Sequence, residues 1–349
     1  MVVNAQESTV LSEFDMALIN CLQVDPRATW RRVGDALGMD PVTAARRWQR
    51  LSDSGAAWVT GRPTGHQSPE ACLAVVEVNC ATARTSETAQ LLARWPHVLS
   101  IEHTSGDHDL QILVAVADLA SLSRFLLDEL GAVPGIRSTR THVVTKAHTQ
   151  GDQWQLKMLD ATQIARLTAE NRPQPARTTR RPLDSADRNL ILCLGENGRM
   201  SLADLGRRTG LSLTTVRRRL DDLIAREIVT LRCDASQSLS GWPIALWLWC
   251  RIDPDDTETT TSLVRGMSGL RVCMSTSGGD ANLLLGIAAR SMHEAPSVDS
   301  RLAGVAPRLR VLNQVMVLRF IKRMGRILDP AGRSAHIVPM DIWSDPIRA

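Results

Sequence analysis

The sequence predicts an α+β protein in which one helical domain and one mixed helix-and-strand domain each occur twice. Shifting the sequence by 172 residues places Asp15 on Asp187 and Gly38 on Gly210 without a gap. A constant offset that persists over roughly 50 residues indicates an internal duplication. In each copy, three short helical patterns precede a β-rich segment. Both observations lead to two copies of the same two-domain unit.

Length and composition restrict the class of protein. The chain has 349 residues, of which 44% are apolar and 22% charged, with a net charge of +4. This length allows about two to four domains. A membrane span needs about 18 or more consecutive apolar residues, and the sequence has no such run. Because Glu7, Glu13 and Asp15 replace the basic start of a secretory signal, we expect a cytoplasmic protein without a membrane partner.

Cysteine and histidine positions do not predict a metal site. The seven cysteines are scattered, and no two form a C-x-x-C pair. An odd, unclustered set argues against a disulfide framework or structural zinc, and free cysteines in apolar runs are usually core residues. His97, His103 and His108 lack tight ligand spacing and are typical of surface loops. We expect no metal and no cofactor.

The helical domain of each copy has the pattern helix, tight turn, helix. In the second copy, Gly210 ends one helix and Ser212 caps the next. Val216, Leu220 and Leu223 then recur at i, i+4 and i+7, which predicts the buried face of a third helix. The first copy repeats the pattern at the same offset. This is the helix-turn-helix arrangement, and the β-prone run after each third helix predicts a wing.

The second domain of each copy has the order strand, helix, strand, strand, helix, strand, which is that of the ferredoxin-like fold. In copy one the strands are predicted at 72–78, 98–103, 110–116 and 136–144, with helices at 86–94 and 119–130. In copy two the strands are predicted at 244–252, 270–275, 282–288 and 311–320, with helices at 259–267 and 298–302. The fold class is therefore a duplicated winged helix-turn-helix plus ferredoxin-like βαββαβ unit.

These patterns divide the chain into six segments. We place helix-turn-helix domains at 11–63 and 183–233, ferredoxin-like domains at 70–150 and 241–324, a connector at 151–182, and a C-terminal tail at 325–349. The connector is predicted to be helical over 154–169. A linker rich in proline and arginine follows, with Arg172, Arg177, Arg180 and Arg181. The tail is aperiodic and is expected to form a loop.

The order of these parts resembles the Lrp/AsnC family of transcription regulators, in which a helix-turn-helix precedes a ferredoxin-like sensing domain. The residues that carry the resemblance are Gly198-Arg199-Met200-Ser201, Gly210-Leu211-Ser212, Val216-Arg217-Arg218-Arg219-Leu220 and the turn Thr104-Ser105-Gly106-Asp107-His108-Asp109-Leu110. The resemblance implies a protein that binds double-stranded DNA and responds to an amino acid or another small metabolite.

The third helix of each helix-turn-helix is predicted to read DNA. Such helices approach base edges with their N-terminal part, where arginine can fork onto guanine and serine or threonine can contact phosphate. The predicted DNA-contact residues are Thr43, Arg46, Arg47 and Arg50 in copy one, and Ser212, Thr214, Thr215, Arg217, Arg218 and Arg219 in copy two. The alternative is a solvated arginine face. Copy two has no tryptophan at the position equivalent to Trp48, and we expect it to carry most of the affinity for DNA.

The turn before the third strand of each ferredoxin-like domain is the predicted effector site. Its residues are Gly106, Asp107 and Asp109 in copy one, and Gly279, Asp280 and Asn282 in copy two. A carboxylate there could hold the ammonium group of the amino acid that the resemblance implies. The equally weighted alternative is a turn that uses glycine and aspartate for backbone reasons.

A catalytic function is the remaining alternative. Siroheme decarboxylases resemble the same two-module arrangement and can occur as fused copies. Their pattern is rich in tyrosine and histidine, whereas this chain has no tyrosine. We find no Ser-His-Asp set and no phosphate-cradling glycine loop, so we expect no catalytic residues.

Pairing of the ferredoxin-like domains follows from the resemblance. We expect the two domains of one chain to pack together as an intrachain pseudo-dimer, with further association into homo-oligomers. A domain-exchanged dimer is the alternative that the long connector permits.

Overall fold

The structure is a computed structural model that describes residues 11–64, 71–151, 154–168 and 181–345. The helical domain of copy one contains α1 (Glu13–Val24), α2 (Trp30–Leu37), α3 (Pro41–Asp53) and β1 (Ala57–Pro63). Its ferredoxin-like domain contains β2 (Cys72–Cys80), α4 (Thr85–Ala93), β3 (Val98–Thr104), β4 (Leu110–Val116), α5 (Leu119–Arg124) and β5 (Ile136–Thr149). Helix α5 continues as a π-helical turn and a 3-10 turn to Ala132.

Copy two repeats this order after a connecting helix, α6 (Ala161–Thr168). Its helical domain contains α7 (Ser185–Glu196), α8 (Leu202–Thr209), α9 (Leu213–Ala225) and β6 (Val229–Ala235). Its ferredoxin-like domain contains β7 (Ile244–Arg251), α10 (Thr257–Arg265), β8 (Leu270–Ser277), β9 (Leu283–Ala289), α11 (Ser297–Val305) and β10 (Arg310–Arg323). The predicted fold class is confirmed.

The connector and the tail differ from their predictions. Helix α6 begins only at Ala161, so the helix predicted over 154–169 is too long at its N-terminal end. The tail, predicted to be a loop, forms β11 (Arg326–Leu328) and β12 (Ser334–Ile337), which extend the sheet next to β10. Of the four linker arginines, Arg172, Arg177 and Arg180 lie outside the described residues. Within the described ranges, no helix is both long and apolar enough to cross a membrane.

Side-chain caps begin the helices where the sequence places them. The hydroxyl of Ser212 accepts a hydrogen bond from the backbone N–H of Thr215 at the start of α9, whereas Asp40 caps α3 in copy one. Gly38 and Gly210 end α2 and α8 with φ of 64° and 71°. Only glycine adopts this left-handed conformation at no steric cost, so these residues set the angle between the helices.

The two helical domains are joined by a two-stranded antiparallel sheet made of β1 and β6. The wing strand of each copy therefore pairs with that of the other copy. Thr60 lies opposite Arg232, and these positions are equivalent under the 172-residue shift, so a pseudo-two-fold axis passes between them. A Cβ atom at Gly61 would lie 2.7 Å from the Leu194 Cβ atom, so close packing of β1 on α7 requires glycine there.

A reciprocal pair of arginines adds to this interface. The guanidinium of Arg27 donates to the carbonyl oxygens of Gly198 and Met200 at 2.7 and 3.0 Å. Its counterpart Arg199 donates to the carbonyls of Pro26 and Ala28 at 2.7 and 2.9 Å. Each arginine thus holds the loop between the first two helices of the opposite copy.

The ferredoxin-like domains form a closed ring of eight strands in the order β10-β3-β4-β2-β5-β8-β9-β7, and β7 returns to β10. The first half of β5 pairs with β2 and its second half with β8 of the other copy. Strand β10 divides in the same way between β7 and β3. Strands of the two ferredoxin-like domains of this chain therefore pair with one another.

Side chains along a strand alternate between two hydrophobic cores, one under the helices and one between the two copies. On β2, Val76 and Val78 face α4 and α5 and pack with Phe125. Val75, which points the opposite way, packs between the sheets with Val315 of copy two. Burying an aliphatic side chain of this size stabilises the fold by about 1.5–3 kcal/mol. The interior between the two sheets is thus built from both copies.

We expect Arg27→Ala to lower the free energy of unfolding by about 2–3 kcal/mol, because two buried carbonyls are deprived of a charged donor. Urea unfolding followed by tryptophan fluorescence measures this change. Arg31→Ala on the exposed side of α2 is the matched control, with a change within about 0.5 kcal/mol. Equal unfolding midpoints for the two variants would contradict the role of Arg27.

Candidate functional site

The third helix of each helical domain exposes a polar face. On α3, Ala44, Trp48 and Leu51 are buried, whereas Thr43 and Arg46 are exposed. Arg50 is exposed as well, and its guanidinium lies 3.7 Å from the Asp15 carboxylate. Trp48 thus belongs to the buried face of α3.

Helix α9 has the same arrangement in copy two. Val216, Leu220 and Leu223 are buried. Thr214, Arg217 and Arg218 are exposed, and Thr215 is half-buried next to the capping Ser212. Of the described residues, none forms a hydrogen bond or ion pair with Arg46, Arg217 or Arg218. These three guanidiniums are available to a ligand.

Two of the predicted contact arginines have a different environment. The Arg219 guanidinium lies 2.8 Å from carboxylate oxygens of both Asp184 and Asp187 at the start of α7. Arg47, its equivalent, lies 3.1 Å from Asp15 at the start of α1. These ion pairs fix the third helix on the first in each copy. Sequence reasoning missed this role because it considered the third helix alone.

The carboxylates that hold Arg219 are strongly stabilised in their charged form. The backbone N–H of Asp187 and the Arg219 guanidinium lower the pKa of Asp184 to about 2. Asp187 is buried, and Arg181 also contacts it, with Nη2 and Oδ1 2.7 Å apart. Arg181 is thus tied to the helical domain.

The predicted effector turn of copy one is held by backbone ties. Asp109 accepts a hydrogen bond from the N–H of Cys80 at 2.7 Å, which joins the turn to the end of β2. Asp107 is exposed and accepts from the Asn313 side chain at 3.3 Å. Gly106 has φ of 92° and packs against β10 of the other copy.

The turn of copy two is similar. Asn282 accepts from the N–H of Ile252 at 2.9 Å and donates to its carbonyl at 2.8 Å. Gly279 has φ of 138° and lies next to His142 of β5, and Asp280 is exposed. Asp109 and Asn282 thus have backbone partners, which favours the turn alternative for both. The two turns lie where the two copies meet.

A cavity of about 540 Å³ lies between the strands of the two ferredoxin-like domains. Its apolar wall is formed by Leu73, Leu99, Leu113, Trp247, Phe320 and Met340. This volume is in the range of small-molecule sites, which are mostly apolar with a few placed polar groups. Sequence reasoning missed the cavity, because alternating apolar residues on a strand predict core whether the facing sheet is in contact or separated.

Glu102 is the buried carboxyl group of this cavity. It accepts hydrogen bonds from the Trp247 indole and, at 3.5 Å, from Gln111. Burial raises its pKa to about 7, against the lowering effects of the indole hydrogen bond and the charge of Arg323. The protonated, neutral form of Glu102 is therefore populated near neutral pH.

Four arginines form one end of the cavity, which we call the basic end: Arg62, Arg232, Arg271 and Arg323. Arg62 and Arg232 belong to β1 and β6, the strands that join the helical domains. Arg271 and Arg323 belong to β8 and β10. The cavity is thus bounded by both the ring of eight strands and the sheet of the helix-turn-helix pair.

Comparison with known proteins agrees with this architecture. Residues 73–154 match the sequence model of the Lrp/AsnC ligand binding domain, and residues 11–52 and 183–224 each match that of the AsnC-type helix-turn-helix domain. The HTH-type transcriptional regulator FL11 of Pyrococcus horikoshii is 30% identical over 151 residues, which cover 42% of this chain and 97% of that protein. The Bkd operon transcriptional regulator of Pseudomonas aeruginosa is 25% identical over 144 residues, covering 39% and 92%.

The chain belongs to the Lrp/AsnC family and is a transcription regulator of that type, with two helix-turn-helix domains in one polypeptide. A solved structure of the siroheme decarboxylase NirDL matches over 95% of both chains, with a TM-score of 0.58 and 12% sequence identity. At that identity the match shows a shared fold.

We expect Glu102→Gln to change how stability depends on pH. Because folding raises the pKa of Glu102, its contribution to the free energy of unfolding is fully present below pH of about 4.5 and is lost as pH rises through about 7. The variant should therefore gain about 2–3 kcal/mol relative to the wild type between about pH 5 and 8.

Urea unfolding at a series of pH values measures this difference. Glu13→Gln, which changes an exposed carboxylate, is the control and should leave the pH profile unaltered. A constant difference between Glu102→Gln and the wild type across the range would refute the assignment.

Proposed function

We propose that this regulator presents α3 and α9 to duplex DNA as a fixed pair and that a small metabolite bound in the cavity modulates the complex. The observation that carries the proposal is the β1–β6 sheet, because it joins both helix-turn-helix domains within one chain. Paired recognition helices of this kind bind two half-sites on one face of the duplex. A single chain would then supply both helix-turn-helix domains of the DNA-binding unit.

The proposed DNA contacts come from the exposed polar face of each third helix. Arg46 and Arg50 serve in copy one, with Thr43 beside them. In copy two the corresponding groups are Ser212, Thr214, Thr215, Arg217 and Arg218. Arg47 and Arg219 position the helices through their ion pairs. Arginine forks on guanine give base specificity, and contacts to phosphate fix the register.

The cavity is the proposed effector site in preference to the two turns. Backbone hydrogen bonds occupy Asp109 and Asn282, whereas the cavity offers space between apolar walls and charged groups. Asp107 and Asp280 remain exposed, so a second ligand contact at the turns stays a prediction. Further association between chains stays a prediction as well.

We also propose that the chain binds its ligand without transforming it. The sequence has no tyrosine, and the described residues that line the cavity include no histidine. General acid–base chemistry most often uses histidine, and the remaining cavity acid, Glu102, is engaged by Trp247.

Incubation of the full chain with siroheme, followed by mass spectrometry, tests this proposal. We expect the mass of siroheme to remain unchanged. A decarboxylated product, formed with the protein and absent from a buffer control, would show catalysis and contradict the proposal.

We expect the double change Arg217→Ala and Arg218→Ala to weaken specific DNA binding by about 1–3 kcal/mol for each base that these arginines read. The target is the sequence enriched from random DNA fragments by the purified protein, and fluorescence anisotropy gives the dissociation constant. Arg301→Ala, on the exposed face of α11, is the control. An equal or larger weakening from Arg46→Ala with Arg50→Ala would overturn the expectation that copy two dominates.

A further inference from the structure

In the described part of the chain, the basic end of the cavity holds more positive than negative charge. Three guanidiniums, from Arg232, Arg271 and Arg323, lie around the carboxylate of Asp234. Arg232 donates a hydrogen bond to Oδ1 of Asp234, and the Arg323 guanidinium lies 3.7 Å from that Oδ1 atom. Burial alone would raise the pKa of Asp234, but these three cations lower it. Among the described residues, this cluster therefore has more guanidiniums than carboxylates.

Arg271 has the least complete set of partners in this cluster. Its guanidinium lies 3.1 Å from the ring centroid of Trp154, but no described residue accepts a hydrogen bond from it. Its Nε atom is buried without a partner. Burial and the charges of Arg323 and Arg232 lower the pKa of Arg271. A buried N–H group without an acceptor is costly, and an anion that accepts from the guanidinium reduces that cost.

Outside the basic end the described lining is mostly apolar, and its charged residues are Glu102 and Lys146. Leu113, Trp247 and Phe320 lie on its wall, and Glu102 is the carboxyl group nearby. Because the neutral form of Glu102 is populated near neutral pH, it need not repel an anion. The cavity thus has an apolar body and one positively charged end.

We propose that the cavity binds an amphipathic organic anion, whose carboxylate or phosphate head group contacts Arg271 and Arg323 and whose apolar body lies against Trp247. This inference rests on the proposed function, because it gives the chemical class of the effector placed in the cavity. Arginine forks match both head groups, so the two are separated by experiment. The bound anion lies against Arg232 of β6 and thereby links the sensing cavity to the sheet that joins the recognition helices.

The test is calorimetric titration of the full chain with phenylacetate, 4-phenylbutyrate, indole-3-acetate and phenyl phosphate. Each acid is compared with its neutral alcohol: 2-phenylethanol, 4-phenylbutanol, indole-3-ethanol and phenol. We expect at least one acid to bind about tenfold or more tightly than its alcohol, because only the acid supplies a negatively charged acceptor that can take two hydrogen bonds from Arg271. Preference for phenyl phosphate over the three carboxylates would assign the head group to phosphate.

Arg271→Gln keeps the polar side chain and removes the charge. We expect this variant to bind the preferred acid no more tightly than the alcohol, while Arg301→Gln on α11 binds like the wild type. Thermal unfolding of both variants shows whether they remain folded. If no acid binds more tightly than its alcohol, or if Arg271→Gln retains the preference, the inference is wrong.

DNA binding by the same preparations separates this inference from the proposed function. Specific DNA binding without tighter binding of an acid than of its alcohol would overturn the proposed anion site and leave the proposed DNA contacts standing. Acid selectivity without specific DNA binding would support the anion site and contradict the proposed DNA contacts.

Discussion

The structure depends on strand pairing between the two copies. Exposed sheet edges carry unpaired N–H and C=O groups, and a protein must cover or pair them. Here β5 pairs with β8, β10 pairs with β3, and β1 pairs with β6. Each copy thus pairs with the sheet edges of the other, and these three strand pairings hold the two copies together. The joining of the two helix-turn-helix domains and the cavity lined by both copies are consequences of this strand pairing.

Strands β1 and β6 contribute both to the helical domains and to the cavity. Strands β1 and β6 hold the helical domains together, and they also supply Arg62 and Arg232 to the cavity wall. Coupling between two sites requires that the interactions of a ligand differ between two states of the protein. If the proposed ligand binds at the basic end, it contacts the strands that join the two helical domains, so no long chain of intermediates is needed to connect the cavity with α3 and α9.

Local features could be predicted from the sequence, whereas contacts between copies could not. The glycine stops at Gly38 and Gly210 and the buried stripe of α9 follow from rules that involve neighbours within one or two turns. The ion pairs of Arg47 and Arg219 and the β1–β6 register join residues about 30 to 170 positions apart, which no helical or strand period encodes. Aspartate in a turn is also ambiguous, because Asp109 would look the same as a ligand contact or as a backbone tie.

Fusion of the two copies has a consequence at the pseudo-two-fold axis. In a symmetric homodimer, the residue on such an axis faces an identical residue, so an arginine there would meet a second arginine. In the fused chain, Arg232 faces the small, neutral Thr60 instead. This position in the fused chain is therefore free of the self-complementarity that a homodimer imposes. Self-pairing of the half that carries Arg232 would place two like charges opposite each other, so this position favours pairing between the two different copies.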